Sequence, residues 1–138
     1  LLWQTGINYN EEFGTFSWGT RTAFIKRMDL AYKVADVVIS RAGAMSVSEL
    51  SALGKATIFI PSPFVSEDHQ TKNAMSLVDK HAALLCKDVE ATAKLGGMVV
   101  SLLQDEKQMG ALRDEIKKLG LPLAAQSIVS EIIKDLGA

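Results

Sequence analysis

The sequence predicts an α/β domain: a doubly wound parallel sheet covered by helices, with a helical cap at its C-terminal end. Three observations carry that prediction. Short apolar runs alternate with amphipathic stretches of helical period, the pattern of buried parallel strands with helices on their faces. The chain has 138 residues, 48% of them hydrophobic, which is enough for one sizeable core and too short for two ordinary domains. After Cys86 the clearest apolar spacing is helical.

The first run, Leu1 to Gln4, reads as a strand already under way, with no initiating Met, and suggests a piece of a longer protein. Asn8 to Gly19 sets Tyr9, Phe13, Phe16 and Trp18 among acidic and small residues, and is expected to form a short helix and loop. Thr22 to Ile25 is the second strand, and Leu30, Ala31, Val34 and Ala35 form a helical stripe behind it. The third strand, Asp36 to Ser40, is followed by the stripe Val47, Leu50 and Leu53. Thr57 to Pro61 precedes the stripe Ala74, Leu77 and Val78, and Ala83 to Cys86 is the fifth strand. All five are expected in one sheet. Met109, Leu112, Ile116 and Leu119 then share a helical face, Gly120 and Pro122 interrupt, and Ile128, Val129, Ile132, Ile133 and Leu136 make the final stripe of the cap.

Fifteen basic against sixteen acidic side chains leave a formal charge of −1, which gives no broad electrostatic case for nucleic acid or an anionic membrane. Any anion must be held locally. The single cysteine, Cys86, excludes an internal disulfide framework, suits a reducing cytoplasm and reads as a small buried hydrophobe rather than a nucleophile. The apolar runs fall short of the roughly 20 residues of a membrane helix, and no signal-peptide pattern opens the chain. No repeat or low-complexity linker divides it.

In open parallel sheets ligands bind beyond the carboxyl ends of the strands. After Ser40, the residues Arg41-Ala42-Gly43-Ala44 leave little bulk to keep a ligand from the backbone, and a helix starts there with free N–H groups and a positive dipole end. This is a phosphate seat in physical terms. Ser46-Val47-Ser48-Glu49 is also an S-x-x-E capping box, in which both side chains would merely satisfy helix-end donors. Alternatively Glu49 accepts hydrogen bonds from ribose hydroxyls, the usual task of an acid beside a nucleotide.

The long polar stretch Pro61 to Asn73 runs from a strand end into the next helix, and the three-residue spacing of Gln70 and Asn73 puts both on one helical face, with amides suited to sugar hydroxyls or to the plain surface. Asp68 is a candidate N-cap. His69 could be a general base, a metal ligand or a polar helix-start residue, and with His81 alone as second imidazole there is no metal-ligand spacing. Phe24-Ile25 could offer an aromatic face and backbone amides to a flat base, or be core. Lys26 and Arg27 read as solvated charges. There is no G-x-S-x-G elbow, P-loop, cysteine set or Ser/His/Asp order.

Taken together, ADVVISRAGAMSVSEL, LGKATIFIPSP and EDHQTKNA, with TAFIKRMDLAYKVAD, resemble the C-terminal domain of the MurG family of bacterial glycosyltransferases, from about residue 20 to about residue 85 and more weakly at both ends. The resemblance implies a Rossmann-like domain, the C-terminal half of a two-domain GT-B glycosyltransferase. That family moves N-acetylglucosamine from UDP-N-acetylglucosamine onto lipid I, giving lipid II, with inversion and without metal. It implies no resident cofactor, UDP-N-acetylglucosamine being the donor substrate. Lipid I and the cytoplasmic face of the inner membrane would be met through an N-terminal domain, and nucleic acid is not a partner.

Carried onto this sequence, Ile25 would meet uracil through its backbone with Phe24 beside it. Gly43, Ala44, Met45, Ser46, Val47 and Ser48 would line the diphosphate, with Arg41 at the edge, and Glu49 would bind ribose. Gln70 and Asn73 would reach the N-acetylglucosamine, with His69 as the alternative to Gln70. The family's catalytic base and Gly-rich first loop would precede Leu1, so no catalytic residue is assigned here. The sequence departs from the family at Gly54-Lys55-Ala56, where Gly-x-Pro is common. A UDP-sugar epimerase of the same architecture, a stand-alone binding subunit with a membrane-anchored partner, and a signalling-type doubly wound domain are the competing readings.

Overall fold

A computed structural model describes residues 1–9, 17–64 and 68–137 and divides the chain into two units, Leu1–Ala35 and Asp36–Ala138. In the first, β1 (Leu2–Gln4) and β2 (Thr20–Thr22) run parallel, with Leu2 opposite Thr20 and Gln4 opposite Thr22. The ladder continues as Thr5 N–H donates to Thr22 O at 3.0 Å and Gly6 N–H to Ala23 O at 3.1 Å. Gly6 holds a φ of 85°, which its missing Cβ permits. The second strand therefore lies earlier than Thr22 to Ile25. Its pairing partner is three residues long, and beyond it the Thr22 hydroxyl donates to Phe24 O at 3.1 Å as the chain bends away.

Arg27 precedes α1 (Met28–Val34) and donates from Nε to Asp29 Oδ1 at 2.9 Å and from Nη2 to Oδ2 at 2.7 Å. This fork holds the Asp29 carboxyl below its ordinary range and pushes the guanidinium up, in an exposed pair as expected for a solvated charge. The stripe on α1 is uncovered, Leu30 being 48% and Val34 77% exposed. Two three-residue strands are too small a sheet to cover a helix face within this unit. The expected helix and loop over Asn8 to Gly19 fall largely on residues 10–16, outside the described residues.

In the second unit β3 (Val37–Ser40), β4 (Ala56–Phe59) and β5 (Leu84–Leu85) form a parallel sheet in that order, with Val37 opposite Ala56 and Ile58 opposite Leu84. The central β4 is buried at every position, which explains a continuous apolar run in place of alternation. Its one polar side chain, Thr57, donates to Lys55 O at 2.8 Å. The five strands thus form two hydrogen-bonded sheets, correcting the single sheet expected. The α/β class itself, parallel strands alternating with helices, is as expected.

Helices α2 (Ala44–Leu53) and α3 (His69–Val78) follow β3 and β4. Leu50, Ala74 and Leu77 of their stripes are buried, whereas Leu53 is 51% exposed. After β5 come α4 (Ala91–Gln104) and α5 (Glu106–Lys118), joined at Asp105, whose carboxylate accepts from Gln108 N–H at 2.8 Å as an N-cap. Ala56, Ile58, Cys86, Leu102 and Leu112 form the core, with Leu95, Met98 and Val99 of α4 packed against it. Helix α4 was not anticipated from the sequence, because Gly96-Gly97 breaks its pattern.

The expected cap is met by α5, which buries Leu112 and Ile116. The last helix, α6 (Ala124–Asp135), buries nothing, and Ile128, Val129, Ile132, Ile133 and Leu136 remain 46 to 77% exposed. Its spacing makes an apolar face, but nothing among the described residues covers it. Among the described residues no helix is long and apolar enough to cross a membrane.

Candidate functional site at the strand ends

In the second unit the loop after β3 is held from three directions. Ala42 is fully buried, and its carbonyl accepts from Asn73 Nδ2 at 3.1 Å. Arg41 donates from Nη1 to Ile60 O at 3.1 Å and Pro61 O at 3.4 Å and pairs with Asp88 in the short 3-10 turn after β5. Its charge therefore serves the ends of three strands. Gln70 Oε1 accepts from Ser62 N–H at 2.9 Å, fixing the start of the next loop.

This bracing presents the N-terminus of α2. Gly43 is its N-cap, with φ −65° and ψ 148°, and no side chain caps the helix. Val47 N–H donates to Gly43 O at 3.0 Å, so the amides of Ala44, Met45 and Ser46 have no intrahelical acceptor. A Cβ on Gly43 would meet nothing within 4 Å. Ala44, Met45, Ser48 and Glu49 are exposed, while Ser46 and Val47 are half-buried.

The capping box is not formed, because Ser46 is the third residue of α2 rather than its N-cap. Glu49 lies on the second turn, where it cannot serve as the box's partner. Asp68 does occupy the N-cap position of α3, in a left-handed conformation (φ 54°), but its side chain accepts no capping bond. His69 is the exposed first residue of that helix, and Gln70 and Asn73 share a half-buried face. The structure thus gathers Arg41, the Gly43–Glu49 stretch, Gln70 and Asn73 around connected loops of one unit. Among the described residues no three His, Cys, Asp or Glu side chains gather where they could hold a metal ion.

In the first unit Ile25 is half-buried and Phe24 is 64% exposed, just past the carboxyl end of β2. Ile25 N–H donates to Gln4 Oε1 at 2.8 Å. Sequence reasoning missed Gln4 and Asp88. Gln4 ends β1, so the strand-end rule could have flagged it; no local signal joins Asp88 to Arg41, 47 residues away.

Fold and site define a class: parallel α/β proteins that present uncapped helix amides beyond the carboxyl ends of their strands. Within it the chain belongs to the glycosyltransferase family 28 C-terminal domain family, whose model matches residues 1–131. It is 50% identical over 136 residues to the UDP-N-acetylglucosamine--N-acetylmuramyl-(pentapeptide) pyrophosphoryl-undecaprenol N-acetylglucosamine transferase of Christiangramia forsetii, covering 97% of this chain and 37% of that protein. It is 48% identical to the protein of the same name from Flavobacterium psychrophilum, with the same coverage. The crystal structure of Acinetobacter baumannii MurG is similar with a TM-score of 0.75 and 33% identity, over 84% of this chain and 35% of that one. The chain therefore spans little more than a third of the length of these relatives.

Proposed function

We propose that this chain is the donor-binding part of an N-acetylglucosaminyltransferase, holding UDP-N-acetylglucosamine while its sugar is transferred to lipid I with inversion. The observation that carries the reading is the N-terminus of α2, uncapped by any side chain and opened by Gly43. The names of the relatives supply the donor and acceptor classes. The acceptor reaches the enzyme through the remainder of the protein, which works peripherally at the cytoplasmic face of the inner membrane.

In the transfer, the acceptor hydroxyl attacks the anomeric carbon from the face opposite UDP. The bond from that carbon to the phosphate oxygen breaks, its electron pair leaves with UDP, and the hydroxyl proton passes to a base outside this chain. Negative charge grows on the departing diphosphate, where the amides of Ala44, Met45 and Ser46 and the positive end of α2 stabilise it. These dipoles carry out that task without a metal or a resident cofactor. Glu49, one turn on, accepts from the ribose hydroxyls, and Ile25 meets the uracil. Each α3 amide keeps a second polar end besides the one on the backbone: Nε2 of Gln70 and Oδ1 of Asn73 address the sugar hydroxyls.

Calorimetric titration of UDP, UDP-N-acetylglucosamine and UMP into the protein and its Glu49→Ala variant tests this reading. Losing a charge-assisted hydrogen bond costs about 1.5 to 3 kcal/mol, or roughly ten- to a hundredfold in affinity for all three ligands. Equal affinity in the variant would remove Glu49 from the ribose, and absence of UDP binding would remove the function.

A further inference from the structure

We propose that Gln4 gates the nucleobase subsite by competing with the base for the Ile25 amide. This rests on the reading above, which gives that amide to uracil. Register places Gln4 at the carboxyl end of β1 opposite Thr22. From there its carboxamide reaches past the end of β2 and accepts the Ile25 N–H at 2.8 Å. The donor settles which way the carboxamide points, with oxygen toward Ile25 and nitrogen away. One N–H makes one full-strength hydrogen bond, so Gln4 and a base carbonyl cannot both hold it.

Two further features suit a displaceable residue. Gln4 is exposed, so no packing locks its rotamer. The adjacent Phe24 is 64% exposed, so its ring is open to a flat partner. The carboxamide also has the chemistry of what would replace it. Its oxygen accepts the N–H as a uracil carbonyl would, so uracil can substitute for it at Ile25.

Gln4→Leu and Gln4→Glu test the gate, with UDP and uridine as titrants. Leucine cannot accept the N–H, so UDP and uridine should bind about two- to tenfold more tightly than to the unaltered protein, the range of one net hydrogen bond. The glutamate carboxylate accepts more strongly, so both uracil ligands should weaken. Uridine carries no phosphate, and a loss shared by uridine is not charge repulsion. Weakening in both variants would make Gln4 a brace for the Phe24–Ile25 segment and overturn the gate, as would no change in either. If UDP binding still depends on Glu49 in that case, only the gate falls. If UDP does not bind at all, the nucleotide reading falls with it.

Discussion

Gly43 is a glycine that the backbone does not require. Its φ of −65° suits any residue, and a Cβ there would touch nothing within 4 Å. What the missing side chain protects is the space outside the helix end. Gly43→Val should cost about 1 kcal/mol in urea denaturation, the scale of a poorer N-cap, while weakening UDP binding at least about tenfold. Unchanged UDP affinity would make the open space incidental. At this scale both the residue types and the helix start beside Gly43 were legible, and only the competing capping box fails. Ser46 and Glu49 spell a capping box, yet the helix begins two residues before Ser46, at Ala44, behind a glycine cap that has no side chain. Gln4 looked like the tail of a strand, and only the parallel register shows what its amide reaches.

The elements that could be read were those whose burial leaves an unbroken mark. β4 appears as the run Thr57 to Ile60 because a parallel strand covered on both faces needs no polar alternation, and β3 as the apolar run Val37 to Ile39, half-buried at Val37 and Val38. Thr20-Arg21-Thr22 is half exposed and carries no such mark, so β2 was placed too late. Helix α4 was hidden by Gly96 and Gly97, which add no apolar periodicity and weaken a helix. A Cβ at either would meet nothing, whereas one on Gly120 would lie 2.6 Å from Ser51 O and 2.7 Å from Ala52 Cα. The same substitution therefore has opposite signs in two places. Gly96→Ala should raise stability by about 0.5 to 1 kcal/mol. Gly120→Ala should lower it by about 1 to 3 kcal/mol, since α2 and the end of α5 must separate. Urea midpoints moving in the same direction for both would contradict this account of the packing.

At the scale of the molecule, the alternation of strand and helix foretold a parallel α/β protein, but not the division into two units or the two sheets. Sheet partnership depends on which strands meet, and no local pattern encodes it. The apolar stripe of α6 was equally legible, while its exposure was not, because periodicity names a face without naming what covers it.

The hydrogen bond from Asn73 to Ala42 O has a consequence for the order of events in turnover. The same amide group addresses the sugar in the proposed reading and steadies the carbonyl just before Gly43. Two parts of one substrate are then gripped through a common strut, and by reciprocity whatever tightens one end tightens the other. Asn73→Ala should accordingly weaken UDP, which has no sugar to lose, by about two- to tenfold. Weakening confined to UDP-N-acetylglucosamine would show the ends to be independent. In the proposed reading, handing over the sugar would slacken the hold on the nucleotide left behind, so the chemical step would itself help to clear the site for the next donor.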